Sequence, residues 1–192
     1  PVALDTQAIG ALLHGKRILI TGAAGSIGSE IARQVARHEP EHVVLIDWAE
    51  NSLLFLDAHL REAFPKQLFT AEVRDVCDYG SINEAVGTYR PGIVFHAAAY
   101  KHVVFMERSP IEAIRNNVMG FHNVAMACQA HGVETLVEIS TDKAVNPTSV
   151  MGASKRLAEM LSQAMNRTGP TKCVVVRFGN VFGSSGSVIP IF

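Results

Sequence analysis

A glycine-rich loop between an apolar run and a helical segment constrains the fold of this chain more than any other feature. Residues 21–28 read TGAAGSIG and directly follow the apolar run Arg17–Thr21. Gly22 permits a tight turn, Gly25 lets the backbone approach a pyrophosphate, and Gly28 allows a helix to pack closely on a strand. We therefore expect a strand, a phosphate-binding loop and a helix N-terminus in that order.

Short apolar runs alternate with longer helical stretches along the rest of the 192 residues. Most of these runs are apolar on both faces, as parallel strands covered by helices on each side must be. This alternation predicts an α/β fold of the Rossmann type, a doubly wound parallel sheet with helices on both faces. The predicted strands are Arg17–Thr21, His42–Ile46, Leu68–Val73, Gly92–His96, Thr135–Ile139 and Cys173–Arg177. The predicted helices are Ser26–His38, Glu50–Phe64, Tyr79–Tyr89, Glu107–His131 and Ser149–Arg167, with a lead-in helix in 1–15 before a dinucleotide-binding domain in 16–192.

Charge and composition argue against several classes of partner. Lys and Arg number 17 against 18 Asp and Glu, and the formal net charge of −1 offers no broad positive surface to nucleic acid or an anionic membrane. The longest stretch without charged residues, Asn116–Val133, carries Asn, His and Gln, so we do not expect a membrane span there. The cysteines Cys77, Cys128 and Cys173 lack CxxC spacing, which argues against a disulfide framework and a cysteine metal site and favours a reducing cytoplasm.

An acidic residue at the end of the second predicted strand points to the ribose of a dinucleotide. Asp47 follows Gly28 by 19 residues, where a carboxylate can accept hydrogen bonds from the adenosine ribose hydroxyls. Its charge would repel a 2′-phosphate, and residues 48–50 contain no Arg to bind one, so NAD is favoured over NADP. Asp75 and Val76 follow the third strand, where the adenine would lie, although Asp75 could equally be a helix cap.

A compact set of polar side chains follows the fifth predicted strand. Residues 140–143 read Ser-Thr-Asp-Lys and lie where the strands of an open α/β sheet end at the ligand crevice. A hydroxyl, an acid and an amine in sequence could carry acid–base chemistry, or could simply cap a helix beside a solvated lysine. Met151 and Lys155 are four residues apart on the following helix and share one face.

Five motifs occur in an order that resembles a known family. They are TGAAGSIGSE, HAAAYKHV (96–103), NNVMG (116–120), STDKAVNPTSVMGASK (140–155) and RFGNVFGSSGSVIP (177–190). Together they resemble the extended short-chain dehydrogenase/reductase superfamily and, within it, the bacterial nucleotide-sugar 4,6-dehydratases of polysaccharide biosynthesis. The resemblance covers nearly the whole chain from Gly15 onward. It extends to the large, membrane-anchored members that dehydrate UDP-N-acetylglucosamine with retention at C5.

One position departs from the wider superfamily. Most relatives carry a tyrosine where this chain has Met151, and a thioether cannot transfer the proton that the phenol would take. Either the chain is inactive or the acid–base role has moved to Asp142 and Lys143, as the Met-bearing subfamily implies. The presence of Thr141 beside these two residues favours the second interpretation.

The resemblance implies a dehydration in which NAD carries a hydride and returns it. Thr141 would hold the C4 oxygen of the sugar, Lys143 would remove the C5 proton, and Asp142 would help the C6 hydroxyl leave as water. These roles need a neutral amine and a protonated carboxyl, so we expect a raised pKa for Asp142. Asn117 would be a structural residue that orders the region around Lys155, and Lys155 would bind the nicotinamide ribose.

The remaining predicted contacts are with the cofactor and the substrate. Lys101 could reach substrate or cofactor phosphates, or could be a solvated loop lysine. The histidines His96 and His102 lack a cysteine or carboxylate partner at ligand spacing, so we expect packed or solvated histidines and no metal site. Further cofactor contacts are expected from Ala24, Ser26, Ile27, Ala97, Ala98 and Ala99, and substrate contacts from Met151 and Asn180.

Two other functions stay open on the same scaffold. A nucleotide-sugar 4-epimerase would be expected to keep the tyrosine and has no need of the Asp142–Lys143 pair, and a non-catalytic NAD-binding module would bind NAD without sugar chemistry. Because the chain starts at Pro1 and stops after an apolar run, we expect a piece of a longer protein. The resemblance implies that most sugar-binding residues lie beyond Phe192 and that the full-length protein tethers this cytoplasmic domain to the inner membrane. We further expect a homo-oligomer.

Overall fold

Six parallel strands form one sheet at the centre of the fold. The computed structural model describes residues 5–179. The strand order is β3-β2-β1-β4-β5-β6, with β1 in the interior and the chain winding outward from it in both directions. The predicted Rossmann-type α/β fold is therefore confirmed. The strands are β1 (Arg17–Thr21), β2 (His42–Asp47), β3 (Phe69–Val73), β4 (Ile93–His96), β5 (Thr135–Thr141) and β6 (Lys172–Phe178).

Helices connect the strands and cover the sheet. A π-helical segment, Ile114–Gly120, joins α6 to α7, and a short 3₁₀ turn, Asp142–Ala144, follows β5. Among residues 5–179, no helix has both the length and the apolar character needed to cross a membrane. The helices are α1 (Thr6–Leu13), α2 (Ser26–Ala36), α3 (Glu50–Ala63), α4 (Tyr79–Tyr89), α5 (Val103–Arg108), α6 (Pro110–Ala113), α7 (Phe121–Ala130) and α8 (Val150–Thr168).

The stretch predicted as one helix over Glu107–His131 is divided in the structure. Helix α5 begins earlier, at Val103, and ends at Arg108. A new helix starts at Pro110, which occupies its first position. Proline has no N–H to donate to the preceding turn and its ring clashes with the carbonyl four residues back, so it ends one helix and begins another. The single predicted helix was wrong for this physical reason.

The two faces of the sheet form separate apolar cores. On one face, Leu19, Val94 and Leu136 pack with side chains of α4, α7 and α8. On the other face, Ile18 and Ile93 pack with side chains of α1, α2 and α3. Alternate residues along each strand point to opposite faces, so strands buried on both sides are apolar at successive positions.

A row of buried polar side chains crosses the sheet at the end of the apolar core, beneath α8. The strand register places Thr21 of β1 opposite His96 of β4, and His96 opposite Glu138 of β5. All three side chains are buried. The three side chains lie two residues beyond Leu19, Val94 and Leu136 on the same face of the sheet, toward the carboxyl ends of the strands. This edge of a doubly wound sheet is where ligands bind.

Candidate active site

The glycine loop leaves no room for side chains at two positions. Gly22 has a φ of +67°, and a Cβ there would lie 2.3 Å from the backbone nitrogen of Ala98. A Cβ on Gly28 would lie 2.1 Å from the Gly22 carbonyl oxygen. Gly25 precedes α2 as its N-cap and donates its N–H to the Gly22 oxygen at 3.2 Å. The loop therefore brings bare backbone and a helix N-terminus to one place, as phosphate binding requires.

Asp47 is held by backbone N–H groups on both sides of its carboxylate. Its Oδ2 accepts a hydrogen bond from the Ala24 nitrogen and its Oδ1 accepts one from the Ala49 nitrogen, both at 2.9 Å. The residue is buried at the end of β2. Each carboxylate oxygen can accept more than one hydrogen bond, so these contacts orient the group and leave acceptor capacity for ribose hydroxyls.

A cleft of about 300 Å³ opens beside Asp47. Most of the predicted cofactor contacts line this first cleft: Gly22, Ala24, Gly25, Asp47, Val76, Ala97, Ala98 and Ala99. Sequence reasoning did not predict a cofactor contact for several others in its lining, which are Ile46, Ala49, Ser52, Arg74, Tyr100 and Asn116.

A second cleft of about 620 Å³ lies on the other side of the glycine loop. It shares Ala24, Gly25, Ala97, Ala99 and Tyr100 with the first cleft, so the two adjoin across the loop. The predicted residues Ser26, Ile27, Gly28 and Lys101 line it, together with His102, Phe105 and Met106.

Arg74 is the basic residue that sequence reasoning missed near the ribose acid. Pairing of β2 with β3 places Val73 opposite Asp47, so the residue after Val73 reaches the first cleft. The Arg74 Nε contacts Glu72 Oε2 at 2.5 Å, and its Nη1 donates to Glu84 Oε2 at 2.9 Å. Two carboxylates therefore hold this guanidinium at the edge of the cleft.

The hydroxyl, acid and lysine at the end of β5 form one hydrogen-bonded set. Asp142 Oδ1 accepts from Thr141 Oγ1 at 2.9 Å and from Lys143 Nζ at 3.1 Å. The Asp142 side chain is 57% exposed, and the set lies outside the lining of the two clefts. Hydrogen bonds from Lys143 and then Thr141 lower the pKa of Asp142. The sequence predicted a raised pKa, and this direction is wrong because the carboxylate is exposed and paired with a cation.

Asn117 joins the wall of the clefts to helix α8. Its Oδ1 accepts from the Tyr100 nitrogen at 2.8 Å, and its Nδ2 donates to the Tyr100 oxygen at 3.0 Å. The same amide nitrogen donates to Ser154 Oγ at 2.9 Å. Asn117 and its neighbour Asn116, a cleft-lining residue, lie in the π-helical segment. Such segments occur often at functional sites.

Lys155 is buried and paired with an acid that the sequence analysis did not single out. Its Nζ donates to Glu138 Oε1 at 3.2 Å, with 5% and 0% of the two side chains exposed. Burial raises the pKa of Glu138, and the charge of Lys155 opposes that shift. Beside them, His96 Nδ1 is hydrogen-bonded to Thr21 Oγ1 at 2.8 Å. Burial, and then the charge of Lys155, lower the pKa of His96 to about 3, so this histidine is neutral.

Glu159 of α8 gathers three partners around one buried carboxylate. It accepts hydrogen bonds from Ser140 Oγ at 2.6 Å and Arg156 Nη1 at 3.1 Å, and Arg177 donates to both of its oxygens at 2.7 and 2.6 Å. Burial alone would raise the pKa of Glu159, but these hydrogen bonds lower it to about 2. The carboxylate ties the end of β5 to α8 and β6, next to Thr141.

Two other predicted site residues, Met151 and Asp75, lie outside the lining of the clefts. Met151 is buried and packs with Met106 and Ala113, between α8, α5 and α6. Asp75 is exposed, and its Oδ1 accepts from the Cys77 nitrogen at 2.8 Å, as in a turn. Asn180 lies outside the residues that the structure describes. Substrate contacts from Met151 and Asn180 stay predictions.

Residues 18–192 match the family of proteins described as polysaccharide biosynthesis proteins. The chain belongs to this family. Within it, the chain is 49% identical over 193 residues to "Probable polysaccharide biosynthesis protein EpsC" of Bacillus subtilis, covering 100% of this chain and 32% of that protein. It is 34% identical over 184 residues to "UDP-N-acetylglucosamine 4,6-dehydratase (inverting)" of Campylobacter jejuni, covering 94% of this chain and 54% of that protein.

A solved structure of a related enzyme has the same fold. The UDP-glucose 4-epimerase of Thermus thermophilus, in complex with NAD, superimposes with a TM-score of 0.70 at 30% identity, over 87% of this chain and 56% of that one. This chain of the polysaccharide biosynthesis family thus spans a third to about half of the proteins it matches. The expected family is therefore confirmed.

Proposed function

We propose that this member of the polysaccharide biosynthesis family is a nucleotide-sugar 4,6-dehydratase. It converts UDP-N-acetylglucosamine to a UDP-4-keto-6-deoxy sugar and acts in the synthesis of surface glycans. The observation that carries the proposal is the hydrogen-bonded set of Thr141, Asp142 and Lys143 at the carboxyl end of β5. This set offers an acid and a base in contact with each other, which an elimination of water requires.

The residues of the two clefts fit NAD as the cofactor. The backbone around Gly22 and Gly28 leaves the space that a pyrophosphate needs, and the Asp47 carboxylate is oriented for the adenosine ribose. Arg74 is the basic group best placed to bind a 2′-phosphate, and Glu72 and Glu84 already engage it. Because these two acids occupy the guanidinium that a 2′-phosphate would need, we expect NAD to be preferred over NADP. NAD held by these residues would supply a hydride acceptor for C4 of the sugar and a hydride donor for C6.

The proton needed for the elimination is already present between two side chains. Lys143 Nζ donates to Asp142 Oδ1 at 3.1 Å. Transfer of that proton along the hydrogen bond produces a neutral amine and a protonated carboxyl in a single step. Exclusion of water by a bound sugar favours the uncharged forms, because desolvation penalises charge. Lys143 can then take the C5 proton, and Asp142 can protonate the departing C6 hydroxyl, which leaves as water. The proton of the C4 hydroxyl would pass through the Thr141 hydroxyl to solvent when C4 is oxidised. Lys143 would return its proton to C5 when C6 receives the hydride, and would then regain a proton from solvent.

Thr141 and Lys155 complete the proposed site from neighbouring elements. Thr141 is the last residue of β5 and would hold the C4 oxygen through its hydroxyl. Lys155 would donate to the nicotinamide ribose from helix α8. Lys101, exposed at the second cleft, is the proposed contact for substrate phosphates. The homo-oligomer and the tethered cytoplasmic location stay predictions of the sequence.

A 4-epimerase is the second candidate, because the NAD complex of a UDP-glucose 4-epimerase shares the fold at 30% identity. An epimerase leaves the C6 hydroxyl in place and has no need of an acid beside the C5 base. The position of the superfamily tyrosine holds a buried methionine, Met151, which cannot take the C4 hydroxyl proton that either reaction must remove. The contact between Asp142 and Lys143 is therefore the feature that favours the dehydratase.

The test is mass spectrometry of UDP-N-acetylglucosamine after incubation with NAD and the chain extended to its natural C-terminus. We expect a product lighter by one water, with no net consumption of NAD. Lys143→Ala should abolish this product, and Lys66→Ala, a change of an exposed lysine on the loop after α3, should not. An unchanged substrate mass with a new isomer present would support the epimerase instead.

A further inference from the structure

A buried ion pair lies directly behind the wall of the cofactor clefts. Lys155 follows Ser154, whose hydroxyl accepts from Asn117, and Asn117 holds the backbone of the cleft-lining Tyr100. Glu138 lies opposite His96 in the sheet, and the next residue after His96, Ala97, lines both clefts. The ammonium of Lys155 and the carboxylate of Glu138 are therefore one layer beneath the place that the dinucleotide would occupy.

The groups packed around this pair leave the lysine with one anionic hydrogen-bond partner in the part of the chain that the structure describes. Glu138 Oε1 accepts from Lys155 Nζ at 3.2 Å. The neighbouring His96 is neutral and its Nδ1 is engaged by Thr21. Glu159, the other acid nearby, is engaged by Ser140 and two arginines. Across residues 5–179, Glu138 Oε2 and His96 Nε2 have no hydrogen-bond partner.

Stability alone does not account for an ion pair in this position. Two charges lose their hydration on burial, and replacing such a pair by apolar side chains of similar volume is often neutral or stabilising. A pair that leaves two nearby polar atoms unsatisfied is costlier still. The position of the ion pair behind the clefts therefore points to a role in cofactor binding rather than in folding.

We propose that Glu138 is a positioning residue for Lys155. This role rests on the proposed function of Lys155 as a ligand of the nicotinamide ribose. Glu138 holds the Lys155 ammonium at the depth and angle from which the ammonium donates to a ribose hydroxyl. An ammonium has three N–H donors, so it can keep its bond to Glu138 while donating to the cofactor. The carboxylate also supplies the counter-charge that keeps the lysine charged in a buried place.

A double-mutant cycle separates positioning from a merely structural role. The variants are Glu138→Leu, Lys155→Met and the two combined, with Glu138→Gln as a milder change that keeps an acceptor oxygen. NADH affinity is measured through the fluorescence of Trp48, the single tryptophan, which lines the first cleft. Unfolding in urea is measured on the same samples. Glu134→Gln, in the exposed pair with Lys16, is the matched control and should bind NADH like the parent chain.

We expect Glu138→Leu and Lys155→Met each to weaken NADH binding by about tenfold, the loss expected for one charge-assisted hydrogen bond. Glu138→Gln should fall between these variants and the parent chain. The double variant, which replaces the ion pair by an apolar pair, should regain most of the urea resistance lost in the single variants. Its NADH affinity should nevertheless stay within about twofold of Lys155→Met, because both residues act through the same contact.

Three results would overturn the inference. If Glu138→Leu and Glu138→Gln bind NADH like the parent chain while Lys155→Met does not, Glu138 has no positioning role. If NADH affinity recovers with stability in the double variant, the pair is structural. If Lys155→Met itself binds NADH normally, the ribose contact on which the inference rests is absent. Absence of the dehydration product with the parent chain, while the variants lose NADH affinity as expected, would instead count against the proposed function alone.

Discussion

Replacing Glu159 by glutamine should lower the free energy of unfolding by about 3 kcal/mol at pH 7. Four hydrogen bonds from Ser140, Arg156 and Arg177 converge on this buried carboxylate, and the pKa of Glu159 falls from an ordinary value of 4.5 to about 2. Each unit of pKa difference between the folded and unfolded chain corresponds to about 1.4 kcal/mol, which gives about 3 kcal/mol for Glu159. Glutamine keeps the shape of the side chain and removes its charge.

The sign of the pH dependence follows from the lowered pKa. Because the folded chain holds Glu159 ionised more strongly than the unfolded chain does, the stabilisation is complete above the ordinary pKa of 4.5 and is lost as the pH falls toward 2. The difference in unfolding free energy between the parent chain and Glu159→Gln should therefore shrink to roughly half its neutral value near pH 3.

Urea unfolding followed by far-ultraviolet circular dichroism at pH 7, 5 and 3 measures this difference. Glu134→Gln is the matched control, because its exposed ion pair with Lys16 should contribute less than about 1 kcal/mol at any of these pH values. A difference between the parent chain and Glu159→Gln that stays constant from pH 7 to 3 would refute the reasoning, since it would mean that the ionised form of Glu159 is not what the arginines stabilise.

The other predictions concern the clefts and the set at the end of β5. Asp47→Ala should weaken NADH binding by about tenfold and NADPH binding less, because the lost contacts are to the ribose hydroxyls and the lost charge opposes a 2′-phosphate. Fluorescence titration of Trp48 measures both, and equal weakening would contradict the ribose role of Asp47. Lys143→Ala should lower turnover by at least about a hundredfold while NADH affinity stays within about threefold, and a fully active variant would rule out Lys143 as the base. Glu84→Gln removes one of the two acids that hold Arg74 and should raise the affinity for NADPH relative to NADH by about threefold or more. An unchanged ratio would show that Arg74 does not reach the 2′-position.

The sequence predicted the sheet and the glycine loop because both depend on neighbouring residues. Strands buried on both faces are apolar at successive positions, and all six of them were found within two residues of their observed ends. The loop between β1 and α2 needs glycine where backbone atoms approach closely, so its spacing alone indicates its use. Asp47 was found because it ends a strand at a fixed distance from that loop.

The features that sequence reasoning missed join residues far apart in the chain. Glu138 and Lys155 are 17 residues apart, and Ser140 and Glu159 are 19 apart. Which partner each acid meets depends on the register of β5 and the rotation of α8, which no local pattern encodes. Arg74 lies far from Asp47 in the sequence, and only the pairing of β2 with β3 brings it to the cleft. A charged residue at an otherwise apolar strand position, as at Glu138, is the signal that could have found the buried pair.

The most direct test of the proposed dehydration follows one atom from C4 of the sugar to C6. UDP-N-acetylglucosamine carrying deuterium at C4 would be incubated with NAD and the chain extended to its natural C-terminus, and the product examined by mass spectrometry and NMR. The account predicts a product that has lost one water and carries the deuterium at C6. A new isomer with inverted configuration at C4, which keeps its full mass and carries the deuterium at C4, would contradict the dehydratase and support an epimerase.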